Sequence, residues 1–102
     1  KEISIKIING AKLIEREKIN SIDLLKIDTE GHEYYVIKGF EGDISKIKVI
    51  FFEHHYDQMI IKNYKFSDIH NYLRGKNFKQ HSKFKMPFRK SFEYIYVNNN
   101  YL

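Results

Sequence analysis

The stretch from Ile22 to Phe52, IDLLKIDTEGHEYYVIKGFEGDISKIKVIFF, decides the fold. Ile22, Leu24, Leu25 and Ile27 form a nearly continuous apolar run that stops at Asp28, the pattern of a parallel strand buried on both faces. Glu33 to Lys38 (EYYVIK) reads as a short helix, with Gly39 placed to end it. Ile47 to Phe52 (IKVIFF) is a second apolar strand and runs into Glu53-His54-His55. Strand, short helix and strand within about thirty residues make a βαβ unit. Its crossover is long enough to bring the second strand back parallel, with a right-handed connection.

Upstream of this unit, Ile3, Ile5 and Ile7 alternate with Ser4 and Lys6, which predicts a short half-buried strand. Asn9-Gly10 reads as a turn, and Lys12 to Ile19 (KLIEREKI) as a short helix or irregular turn. Downstream, Phe66, Ile69 and Leu73 recur at helical spacing between Ser67 as N-cap and Gly75 as stop. Phe78 to Phe84 and Phe92 to Val97 are strand candidates. The loop between them holds the only proline, Pro87, and is too short for a helical crossover, so the two pair antiparallel. The predicted fold is α/β: parallel strands at one side of a sheet that closes with an antiparallel hairpin.

The 102 residues suffice for one small domain with a core of limited margin. The absence of cysteine excludes a disulfide framework, a zinc ribbon, an iron–sulfur site and thiol catalysis. The longest apolar run, Val49 to Phe52, is far short of a membrane span, and no signal peptide is visible, so a cytoplasmic location is expected. The net charge of +5 suggests nucleic acid at first sight. However, Ile, Lys and Asn fill 16, 15 and 8 positions, against a single Ala and three Arg, a skew that AT-rich codons would produce. The lysines are also spread along the chain rather than clustered, which argues against a dedicated phosphate-binding surface.

Ligands of open parallel sheets bind beyond the carboxyl ends of the strands. Two strand ends here carry polar clusters, Asp28-Thr29-Glu30-Gly31-His32-Glu33 and Glu53-His54-His55. Two carboxylates and a histidine converging there could bind a divalent cation, or could divide into a base and its orienting partner. The structural alternative is equally specific: Glu30 and Glu33 favour the first turn of a helix through its dipole, and His54 and His55 are solvated loop residues.

Residues Ile22 to Phe40, IDLLKIDTEGHEYYVIKGF, resemble the signature of FkbM-type methyltransferases, approximately I-D-L-L-K-I-D-x-E-G-x-E and then a short aliphatic helix ending Lys-Gly. Asp23, Lys26, Asp28, Glu30, Gly31, Glu33, Lys38 and Gly39 carry the likeness, the lead-in LIEREKIN and the following FFEHH extend it, and it covers roughly residues 3 to 55. One departure is Asn9-Gly10-Ala11, where the family has a Thr-Leu-Asp-like triplet.

The resemblance implies a Rossmann-like class I domain that transfers a methyl group from S-adenosylmethionine to a hydroxyl of a sugar, glycan or small metabolite. Its sheet has strand order 3-2-1-4-5-7-6, of which residues 1–102 would supply strands four to seven. The Gly-rich cofactor loop would then lie in an N-terminal half that this chain lacks, because its five glycines stand apart at 10, 31, 39, 42 and 75. By the same resemblance Asp28 and Glu53 are the catalytic acids, with His32 as a further base candidate at a position the family leaves variable. Asp28 and Thr29 stand on the cofactor side, and Glu30 and His54 on the substrate side. A divalent metal at Asp28 and Glu53 is open by analogy with other methyltransferases of this fold.

Gly31 serves backbone geometry, and Tyr34, Tyr35, Tyr94 and Tyr96 read as packing residues with a wet hydroxyl. The alternatives are a basic binding module and a non-catalytic remnant of such a domain. The fragment is expected to be inactive alone and to self-associate, because Ile22 to Ile27 would become a long apolar edge.

Overall fold

The computed structural model describes residues 2–5, 20–27, 31–56, 64–87 and 90–101. The turn at Asn9-Gly10, the segment Lys12 to Ile19, and Asp28, Thr29 and Glu30 lie outside the described residues. Five strands, β1 (Glu2–Ile5), β2 (Ile22–Ile27), β3 (Ile47–His55), β4 (Phe78–Lys85) and β5 (Ser91–Asn98), form one sheet in the order β1-β2-β3-β5-β4. The first three strands are mutually parallel, and β5 pairs antiparallel with both β3 and β4. The helices are α1 (Glu33–Lys38) and α2 (Phe66–Gly75), with a 3-10 turn over Glu41–Lys46 between α1 and β3.

Register and alternation sort the side chains onto two faces. Leu25 and Ile27 pair with Ile50 and Phe52, which in turn face Tyr96 and Tyr94. These six side chains are buried together with Val36 and Ile37 of α1 and Ile69 and Leu73 of α2, so both helices cover the same face. Phe52 stacks between Tyr94, at 5.6 Å, and Tyr96, at 5.7 Å, and α2 adds Phe66 on Tyr94 at 4.2 Å. Offset stacking of this kind adds to the area term.

On the other face Leu24, Val49, Phe51, Ile95 and Val97 are only half-buried, and Lys26 lays its ammonium over the Phe51 ring. The expectation that β2 is buried on both faces is therefore corrected. So is the expectation that β2 is an edge. β1 runs alongside it, in register from Glu2 with Leu24 to Ile5 with Ile27, so both sides of β2 are hydrogen-bonded and the edge argument for self-association fails at this strand.

The far edge of the described sheet is β4, whose Lys79, Lys83 and Lys85 are exposed. Charged lysines on an outer strand discourage pairing with a second chain, which gives part of the basic charge a structural purpose. Lys83 also covers the rings of Phe92 and Tyr94 on the neighbouring strand.

One predicted boundary holds and three move. Gly39 does end α1, but with right-handed φ −64°, and the chain continues into the 3-10 turn, so its freedom at positive φ is not used. Ser67 lies inside α2, and Lys65 is the N-cap, where the Asp68 carboxylate accepts from its backbone N–H at 2.8 Å. Asn77 leaves α2 at φ +70°, a left-handed residue that asparagine tolerates. Finally, β3 extends to His55, so His54 and His55 are strand residues, both buried, and not solvated loop.

Asn98 closes the far end of the sheet. Fully buried, it donates from Nδ2 to the carbonyls of Ile47 at 2.9 Å and Ser45 at 3.2 Å, and its Oδ1 accepts from the Asn100 amide. Polar groups without water need such partners.

Candidate active site

A pocket of about 400 Å³ opens where β3 ends, lined by His54, His55, Tyr56, Tyr64, Lys65, Phe66 and Ser67. Alternation along β3 puts His54 on the helix-covered face with Ile50 and Phe52. The helix contributes in the same way: Glu33, Val36 and Ile37 are the buried residues of α1, one stripe at i, i+3 and i+4. A carboxylate and an imidazole thus meet inside the apolar layer. His54 Nδ1 stands 2.6 Å from Glu33 Oε2, with the two side chains 2% and 1% exposed.

The second carboxylate oxygen, Glu33 Oε1, is buried without a hydrogen bond of good geometry, and so is the Tyr64 hydroxyl. These two groups are neighbours. Burial first, and then the adjacent Glu33 carboxylate, push the Tyr64 hydroxyl well above the usual phenol range.

Aromatic rings wall this space. Tyr56 lies edge-on to His54 at 4.9 Å, and Tyr64 and Phe66 each lie 5.8 Å from it. The Tyr56 hydroxyl meets that of Tyr94, whose pKa burial and this contact raise. Tyr96, raised chiefly by burial, has its hydroxyl 2.6 Å from His70 Nδ1. The hydroxyls of Tyr94 and Tyr96 are thus bonded within the protein.

Of the strand-end residues singled out from sequence, His54 and His55 line this pocket. Glu53 points to the opposite face of β3, where Oε2 accepts from the Ser91 hydroxyl at 2.8 Å and Oε1 stands 3.4 Å from His55 Nε2. His32 is exposed at the N-cap of α1 and is not among the lining residues. Gly31 holds φ +83°, a conformation open to glycine. Asp28, Thr29 and Glu30 lie outside the described residues. Among the described residues no three His, Asp or Glu side chains come together as a metal-ligand group.

From sequence Glu33 has only a place in the Asp28 to Glu33 cluster or a part in the helix dipole, with no role of its own, and Tyr64 is not singled out. The Glu33-Val36-Ile37 stripe already contained the signal for the former; Tyr64 has none in the sequence.

The methyltransferase FkbM domain model matches residues 2–80 of the chain. The chain belongs to the FkbM methyltransferase family. Neither a curated protein nor a solved structure gives a significant match. The match extends the likeness seen from residue 3 to 55 through α2 and into β4, so the whole pocket lies within the FkbM domain. Family membership carries methyl-transfer chemistry with S-adenosylmethionine in general. Among the described residues no helix is long and apolar enough to cross a membrane.

Proposed function

We propose that this FkbM domain segment is the acceptor-side, C-terminal half of a cytoplasmic S-adenosylmethionine-dependent O-methyltransferase acting on a hydroxyl of a sugar, glycan or small metabolite. The observation that carries this reading is the ring-walled pocket at the carboxyl end of β3, inside the region that matches the family. The run β2-β3-β5-β4 supports it, because a last strand inserted antiparallel beside the second of two parallel strands is the order 4-5-7-6 of a Rossmann-like class I sheet.

The residues present do not fit the cofactor by themselves. The five glycines are scattered, and the described pocket is walled by rings rather than by closely approaching backbone. The cradle is therefore assigned to chain outside these residues. What this half contributes is positioning: rings to hold an acceptor and polar groups to orient its hydroxyl. Asp28 and Glu53 remain the proposed acids of the strand ends, with Thr29 on the cofactor side, Glu30 on the substrate side and His32 as the outlying base candidate.

The test compares the 102 residues with the full-length protein for S-adenosylmethionine binding by calorimetry and for transfer of labelled methyl to alcohols and glycans. Binding and turnover by the full-length protein, lost in the short chain, are expected. A full-length protein that does not bind the cofactor refutes the reading.

A further inference from the structure

We propose that Glu33 is a positioning residue that locks His54 in the tautomer with its hydrogen on Nδ1, so that Nε2 offers its lone pair to the pocket as the hydrogen-bond acceptor for the hydroxyl of a ring-bearing alcohol or phenol. The proposal deepens the methyltransferase reading above and rests on it for the fate of that hydroxyl. The tautomer itself rests only on the Glu33–His54 geometry.

An ionised carboxylate has no hydrogen to give, so in a 2.6 Å contact between Glu33 Oε2 and His54 Nδ1 the nitrogen is the donor. The hydrogen bond made by one ring nitrogen fixes the role of the other. His54 lines the pocket, and with Nδ1 engaged by Glu33 its remaining polar atom is Nε2. The carboxylate is held in turn by its own surroundings. It is fully buried on the inner stripe of α1, with the Tyr64 hydroxyl, itself buried and without a hydrogen bond, as its neighbour. The geometry is that of an acceptor nitrogen oriented from behind by an acid that never contacts the ligand.

The ligand class follows from the walls. Tyr56, Tyr64 and Phe66 surround His54 at 4.9 to 5.8 Å, leaving ring faces and edges against which a ring can pack. Such a ring can turn one hydroxyl toward Nε2.

The experiment is long-range proton–nitrogen NMR of the histidine rings in the ¹⁵N-labelled full-length protein at neutral pH. His54→Gln assigns the signals, and phenol and cyclohexanol are titrated as probes. The expected spectrum has a protonated Nδ1 and a bare, pyridine-type Nε2 whose resonance moves as either probe is added. Glu33→Met should release the ring to the Nε2-protonated tautomer favoured by free imidazole and abolish the probe response. An Nε2-protonated or doubly protonated His54 in the unsubstituted protein, or an Nε2 resonance unmoved by both probes, overturns the proposal even if Glu33→Met fails to fold. Methyl transfer is measured separately on the same samples. The expected tautomer and probe response without any methyl transfer would refute the methyltransferase reading and leave this one standing. A wrong tautomer with normal turnover would do the reverse.

Discussion

A buried acid–imidazole pair makes a demand on stability that a double-mutant cycle can read. Glu33 and His54 are 1% and 2% exposed, so neither can find water when its partner is removed. Glu33→Met keeps the length of the side chain but strips Nδ1–H of its acceptor. That should cost about 1–3 kcal/mol, the penalty of one orphaned buried donor. His54→Leu is worse, because it leaves a carboxylate in an apolar layer with no hydrogen-bond partner among the described residues. The expected loss is about 3–5 kcal/mol, as for other buried pairs broken from one side.

Replacing both residues removes both unmet demands, and well-packed apolar pairs of similar volume are commonly neutral, so the double variant should lie within about 1 kcal/mol of the parent. The coupling between the two sites is therefore several kcal/mol and favours the double change, against a total of about 5–15 kcal/mol for a domain of ordinary stability. Urea unfolding followed by circular dichroism, with unchanged m-values as the check on two-state behaviour, measures all four corners of the cycle. Single effects that simply add, within about 0.5 kcal/mol, would show that the side chains do not interact and would refute the reasoning.

Three other outcomes are expected. Phe52→Ala should destabilise by about 3–5 kcal/mol in the same urea assay, since it opens a cavity at a fully buried site and breaks the stacks on Tyr94 and Tyr96; a loss below about 1 kcal/mol would contradict the packing. Glu41→Gly should raise stability by up to about 1 kcal/mol, because Glu41 is held at φ +52°, where a side chain is strained and glycine is not; a decrease would mean that its side chain outweighs that strain. The phenols of Tyr64, Tyr94 and Tyr96 have pKa values raised in the fold above their unfolded value. The stability they confer is thus complete below about pH 10 and drains away above it. A spectrophotometric titration should show a late group of tyrosines ionising together with loss of the circular dichroism signal, and ionisation of all eight tyrosines ahead of that loss would contradict their burial.

The elements legible in the sequence were those whose signal is local. The apolar runs Ile22 to Ile27 and Ile47 to Phe52, the α1 stripe and the Phe66-Ile69-Leu73 spacing each carry a period that one segment can display alone. The antiparallel hairpin was legible because the loop around Pro87 is too short for anything else. Neighbours in the sheet were not legible from one strand at a time. The place of β1 beside β2 depends on backbone pairing that leaves no residue pattern behind. In the site, alternation from Ile50 through Phe52 already placed His54 on the inner face, but its meeting with Glu33 joins residues 21 positions apart across a crossover. An acid in the first turn already suits its own helix's dipole, a local role that masks the place of Glu33 in the buried stripe with Val36 and Ile37.

The order of the strands also bears on how the molecule is made. β5 is synthesised after β4 yet lies between β3 and β4. While the ribosome is still adding residues up to Ser91, β3 lacks the neighbour on one of its sides and β4 lacks the partner it has in the described sheet. Both must wait, with Phe52 and Phe78 unsheltered, until β5 emerges and zips the two together in one event. Holdase chaperones should therefore engage the nascent chain most strongly in that interval, and a premature stop codon just before Ser91 should yield a product that is cleared rather than folded.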